Sequence, residues 1–235
     1  MSNRIRSISQ DVKNLNIEEL SKSKLILKHT HESAKSLLSA FENVRKLRGA
    51  PRGATTDSEQ DLLRAMLVLT AAGLDSMIKQ IIRDTLSILA ELDIKVENGV
   101  ETFVARQLRS DPDSIETTKS NRFLARLLIS KSRRDQAIQE YIDELTGGSL
   151  QSPEELIRAA FALGLEPNKC NINPDILRPI FKVRNNIIHE LDIDLNAPHR
   201  HRYNRSKIKM VQDSNILLEI GDKILLGVYN KIHSK

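Results

Sequence analysis

Between Asp57 and Asp93 the chain carries Leu62, Leu63, Met66, Leu67, Leu69, Ala71, Leu74, Met77, Ile78, Ile81 and Ile82, with no proline among them. At 100° per residue these side chains cover most of a helix circumference rather than one stripe. Such a helix has to be surrounded, so the pattern predicts a long buried central helix with other helices packed around it. Composition points the same way. Aromatic residues make up 3% of 235 residues, Trp is absent, and nine Gly and seven Pro are few, which disfavours a sheet-rich, turn-dense fold. The expected class is all-α.

Breaks and caps divide the rest into further helices. Asn16-Ile17-Glu18-Glu19 reads as a capping box opening a helix that runs to about Arg48, where Gly49, Pro51 and Gly53 end it. The central helix opens at Asp57 or Ser58. A shorter one is expected after Gly99, ending before Asp111-Pro112-Asp113, and helical sequence from Ile115 to Leu145 breaks near Ser130 and stops at Gly147-Gly148. Ser152-Pro153-Glu154-Glu155 joins an N-cap, a first-turn proline and a capping glutamate, and Gly164 closes that helix. Asn173-Pro174-Asp175 starts the next, which runs to about Leu191 with Pro179 near its start. A polar loop from Asp192 to about Lys209 precedes a last helix from about Gln212 to Ile232. No repeat or linker divides the chain. We expect one domain, with residues 1–53 as a helical extension to a core at 57–235.

Several functions are excluded or left without support. Cys170 is the only cysteine, so no disulfide framework and no zinc ribbon exist. A lone thiol fits a reducing, cytoplasmic compartment. No apolar run reaches ~18 residues without a charge, and the first residues lack the apolar stretch of a secretory signal, so membrane association is not expected. His29/His31 and His199/His201 are H-x-H pairs, but no carboxylate or thiol cluster completes a metal site. Gly-rich phosphate-binding motifs are absent, and no cofactor is expected. Net charge is 36 − 31 = +5.

The informative segment is Phe181-Lys182-Val183-Arg184-Asn185-Asn186-Ile187-Ile188-His189-Glu190. Ile176, Ile180, Val183, Ile187 and Leu191 recur at spacings of 4, 3, 4 and 4 and form one apolar stripe, which Leu177, Phe181 and Ile188 widen. Arg184 falls inside that widened sector, where a charge is costly unless it is paired or opens onto a cleft. Asn185 and His189 lie one turn apart on the other side. Two apolar flanks around a charge suggest contact with a second surface, which a homodimer would supply. The plain alternative is a solvated face. His189-Glu190 does not begin a zinc H-E-x-x-H motif, because position 193 is Ile.

Arg184-Asn185-x-x-x-His189 late in an all-α chain resembles the R-x4-6-H motif of HEPN domains. The run Leu63-Arg64-Ala65-Met66-Leu67-Val68 with Gly73-Leu74-Asp75 is similar to the R-A-x-L-V…A-L-D core helix of the RiboL-PSP-type HEPN branch. Arg184 through Asp192 is similar to its R-N-x-I-V-H-x-x-D segment. The resemblance spans about residues 60–231. It implies a HEPN-like helical bundle and a metal-independent endoribonuclease acting as a homodimer on RNA, often a toxin or phage-defence effector with an antitoxin or defence-system partner protein. It assigns catalysis to Arg184 and His189 with Asn185 in support, and places Asp75 and Glu190 near the site. The residue types suit the chemistry. His can accept and return a proton near neutral pH, and Arg grips phosphate oxygens through a planar fork. Some HEPN toxins carry a modifiable Tyr two residues after the His; here Leu191 stands there. The alternative reading is a non-catalytic HEPN module that binds RNA or a partner protein and regulates another enzyme.

Two secondary features remain open at this level. His199, Arg200, His201, Arg202, Arg205, Lys207 and Lys209 form a basic stretch that either binds RNA phosphates, with Tyr203 stacking on a base, or is a solvated loop. Asp75 is either a paired buried carboxylate or a partner of Arg184.

Overall fold

The computed structural model describes residues 3–49, 53–108, 115–196, 198 and 201–233. The N-terminal segment is pinned by buried Ile5, Val12, Leu15 and Leu20, with a short helix α1 at Gln10–Asn14 whose Val12 amide is capped by Ser9 Oγ. The capping box expected at Asn16 does not form. A 3₁₀ turn at Glu18–Leu20 enters α2, Ser21–Leu47, without a side-chain cap, because buried Leu15 and Leu20 fix the entry instead. Leu27, Ala34, Leu38 and Phe41 form the buried stripe of α2.

Helix α3 spans Asp57–Leu92, within one residue of the sequence expectation at each end. Thr56 and Glu59 cap it reciprocally, Thr56 Oγ1 accepting from the Glu59 amide at 3.3 Å and Glu59 Oε2 accepting from the Thr56 amide at 2.9 Å. The Glu59 carboxylate is fully buried between Arg45 (3.2 Å) and Arg48 (2.8 Å), which locks the α2–α3 connection. The Arg48 hydrogen bond holds the Glu59 pKa below the ordinary value against the opposing effect of burial.

The remaining helices are α4 (Ile94–Leu108), α5 (Ile115–Ile129), α6 (Arg133–Gly147), α7 (Pro153–Ala162), α8 (Pro174–Glu190) and α9 (Lys207–His233). The fold is all-α with one long central helix. Among the described residues there is no strand, only an isolated bridge between Ile193 and Arg202. Helix α3 packs against α2, α4, α6, α7, α8 and α9. By length and composition α3 could cross a membrane, but a central core helix meets the same criteria. Its buried positions include Leu63, Met66, Leu67, Leu74, Met77, Ile78, Ile81 and Ile82, while Leu69 is exposed.

Two further boundaries differ from expectation. Helix α4 begins at Ile94 and runs through Gly99, because Asp93 Oδ1 accepts from the Lys95 amide at 2.9 Å and supplies a cap that sequence pattern alone did not single out. Helix α9 begins at Lys207, about five residues early, so Lys207 and Lys209 belong to its first turn rather than to a loop. The apolar side of α8 also leans toward Leu177 and Phe181, while Val183 and Ile187 of the expected stripe pack half-buried against the core. Leu177, Ile180 and Phe181 are buried, while Ile176 and Leu191 are exposed, so Leu177 and Phe181 serve the core and are not spare surface for a partner. The expected break at Asp111-Pro112-Asp113, and Pro51, lie outside the described residues.

Helices α2 and α3 approach closely at Gly73. A Cβ placed there would meet Thr30 Oγ1 at 2.0 Å and Thr30 Cβ at 2.8 Å. Gly73→Ala therefore forces the helices apart and is expected to cost about 1–3 kcal/mol, with a fall of several degrees in Tm. Thr30→Ala in the same chain should return part of that loss. Thermal unfolding followed by circular dichroism measures both, and an unchanged Tm for Gly73→Ala would contradict the packing described.

Candidate functional site

Helix α8 carries the three residues of the Arg-Asn-x-x-x-His motif. Asn173 caps it, its Oδ1 accepting from the Asp175 amide at 2.9 Å, with Pro174 in the first turn. Arg184 lies half-buried on the side facing α3. Its Nη1 donates to Asn185 Oδ1 at 3.0 Å, while its Nε is buried and has no hydrogen-bond partner among the described residues. Burial lowers the guanidinium pKa from its ordinary value, and the nearby Asp75 carboxylate opposes that shift.

Asp75 does not form an ion pair with Arg184. Its Oδ2 accepts from Lys79 Nζ at 3.0 Å and its Oδ1 from the Leu150 amide at 2.8 Å, so it acts on Arg184 through space alone. Beside Leu150, Gln151 holds a second buried polar atom without a partner, its Oε1. His189 is exposed in the last turn of α8, and its ring makes no hydrogen bond to a described residue. Asn185 is therefore engaged with Arg184, not with His189 as the one-turn spacing suggested. Five residues separate Arg184 from His189, about 140° around the helix, so the two diverge within one chain. Glu190 is exposed, and its carbonyl accepts from the Ile193 amide at 3.0 Å.

The end of α8 is fixed by charge. Leu191 and Asp192 both have left-handed backbone, φ 51° and 59°, which costs non-glycine residues about 1–2 kcal/mol each. The turn closes with the Asp192 amide donating to Asn186 O at 3.0 Å. The Asp192 carboxylate, fully buried, accepts from Arg64 Nε at 2.9 Å and from Arg205 Nε at 2.9 Å, with a further bond from Arg205 Nη2. Arg64 also donates to Asp61 Oδ1 at 3.0 Å and to Tyr203 O at 2.9 Å. The start of α3 is thus tied to the end of α8. Gln60 adds to the tie, its Oε1 accepting from the Arg205 amide at 2.8 Å.

The described cations among those expected to bind RNA are used in this framework. Arg202 pairs with Asp61 at 2.7 Å and donates to Leu191 O at 2.9 Å. Arg205 holds Asp192 and lies 4.9 Å from the Tyr203 ring centre. Burial raises the Tyr203 hydroxyl pKa, and the nearby Asp194 carboxylate adds to that shift. Lys207 pairs with Glu42 at 2.6 Å and Lys209 with Asp213 at 2.6 Å. His199 and Arg200 lie outside the described residues.

One set of exposed polar residues lies on the same helix as the motif. Arg178, Lys182, Asn185 and His189 recur at spacings of 4, 3 and 4, and all four are exposed. A reading centred on the apolar stripe and on the 199–209 loop passes over Arg178 and Lys182, although their spacing to His189 is legible. Groups of His, Cys, Asp and Glu arranged for a metal ion are absent among the described residues. Cys170 is buried, and burial raises its thiol pKa.

Comparison with protein-family models, with curated proteins and with solved structures finds no match to this chain.

Asp192→Asn would leave the buried guanidinium of Arg64 and the largely buried one of Arg205 without their counter-charge. Breaking a buried ionic group in this way costs about 3–5 kcal/mol, so the variant should unfold roughly 10 °C below the parent. Asp61→Asn, at a half-exposed carboxylate, should cost no more than about 1 kcal/mol. Equal Tm values for the two variants would show that the node does not hold the fold.

Proposed function

We propose that this protein is a metal-independent endoribonuclease of the HEPN type, acting as a homodimer, with Arg184 and His189 catalytic and Asn185 in support. The observation that carries the reading is a half-buried guanidinium with an unused N–H, five residues from an exposed imidazole on the same helix. A partly desolvated arginine favours an anionic ligand that completes its hydrogen bonds. The phosphodiester of RNA is such a ligand. His189 takes the proton from the 2′-hydroxyl, whose oxygen attacks the adjacent phosphorus. The 5′-oxygen bond breaks, and that oxygen needs a proton in turn. The motif of one chain supplies a single histidine, turned away from Arg184. A second copy about a twofold axis provides the other acid–base group and brings an arginine toward each histidine. Exposed Ile188 (40%) and Leu191 (65%) flank His189 and offer apolar area for that contact.

A second reading has one observation in its favour. Among the described residues no side chain hydrogen-bonds to His189, as a second group usually orients a general base. A non-catalytic module that binds RNA or a partner protein through the same face would not need that orientation.

Arg184→Ala and His189→Ala should each lower RNA cleavage by about 10²-fold or more. Wild-type products should end in 2′,3′-cyclic phosphate, and cleavage should survive EDTA. Undiminished cleavage by both variants, or binding without turnover by the wild type, would overturn the nuclease reading. Light scattering at micromolar concentration should give twice the chain mass; a monomer that cleaves RNA would exclude the shared site.

A further inference from the structure

We infer that the exposed face of α8 itself is the track for RNA phosphates, with Lys182 as its principal contact and Arg178 beyond it, rather than the basic stretch that follows the helix. This rests on the reading of the protein as RNA-directed. Lys182, Asn185 and His189 lie on one exposed face, and the helical rise puts Lys182 about 10 Å and Arg178 about 16 Å from His189 along the axis. A strand whose scissile phosphate lies near His189 and which follows the helix therefore passes both cations.

The two candidate sets of cations differ in what binding would cost them. Lys182 makes no hydrogen bond or ion pair with a described residue, so its charge is available to a phosphate. Arg178 pairs with Glu154 at 3.0 Å and Asp175 at 3.6 Å, but its side chain is 60% exposed and both carboxylates are more so. Water solvates those carboxylates if the arginine turns to a phosphate, and pairs of this kind are worth little. Arg205 is in the opposite position. Turning it to RNA would leave the fully buried Asp192 with Arg64 alone. Lys209 holds Asp213, whose side chain is 2% exposed, and Arg202 holds the α8 end through Leu191 O. Lys207, paired with the half-exposed Glu42, is the loop-proximal cation best able to change partners, and it serves as the comparison.

The experiment measures binding apart from cleavage. In a His189→Ala background, a fluorescein-labelled 20-nucleotide poly(U) is titrated by anisotropy at several NaCl concentrations. Each phosphate contact on a single strand contributes about 0.7 to the slope of log K against log salt. Adding Lys182→Ala should lower the slope by about that amount and weaken binding about fivefold at 0.1 M salt. Lys182→Arg should keep both values near the parent, and Lys207→Ala should change neither. Circular dichroism confirms that each variant is folded. Binding that is indifferent to Lys182, or that falls more with Lys207→Ala, overturns the α8 track and leaves the RNA-directed reading standing. A parent that does not bind the probe at any salt overturns both.

Discussion

The buried carboxylate of Asp192, shared by Arg64 and Arg205, is the interaction on which the architecture around α8 depends. The first turns of α3, the end of α8 and the segment entering α9 meet there, and 128 residues separate Arg64 from Asp192 in the chain. None of the three charges is tolerable alone in that position. Together they saturate one another and pull a left-handed pair of residues into place at the helix end. The loop beyond is closed by main-chain bonds from Tyr203 to Asp192 and from Asp194 to His201. The motif residues on α8 are held at the end of a rod whose termination is electrostatic.

The same device recurs at other junctions. Glu59 sits between Arg45 and Arg48 where α2 turns into α3, and Glu144 on α6 binds Arg106 of α4 and Arg158 of α7. One carboxylate with two arginines makes each corner, and arginine suits the role because its fork can hold a carboxylate and a main-chain carbonyl at once. This gives the excess of basic residues a different meaning from that suggested by net charge. Many cations are internal parts of the structure, and the field offered to an anionic partner comes from the few that remain, such as Lys182.

Local chemistry was legible in the sequence, and long-range pairing was not. The central helix, the Ser152 and Asn173 caps, and the glycine end at Gly164 with φ 67° follow from side-chain type and spacing within a few residues. The start of α4 did not, because Gly99 weakens a helix without ending it when Asp93 caps the turn before. The lean of the α8 core face toward Leu177 and Phe181 is not legible, because Leu177, Ile180 and Phe181 fit a 3.6-residue period about as well as Ile176, Ile180 and Val183. The surrounding helices bury the first set, leave Val183 half-buried against the core and expose Ile176. The partners of Arg202, Arg205 and Lys207 lie 11 to 165 residues away along the chain, so local pattern does not reveal that these cations are paired. The Arg-Asn-x-x-x-His spacing was visible, but the divergence of Arg184 and His189 within one chain appears only from the helix geometry.

The place of α9 in the packing has a consequence for synthesis. This helix, the last described, lies against both α2 and α3 and also receives the N-terminal segment, through Asn215 and Asp222 bonded to the amides of Arg6 and Ser9. Ribosomes add about 5–20 residues per second, so about 7 to 28 seconds pass between the end of α3 and the completion of α9. Throughout that interval the long central helix lacks one of its principal covers. The nascent protein must therefore rely on α2, already joined to α3 through Glu59, to shield that surface until translation delivers the rest.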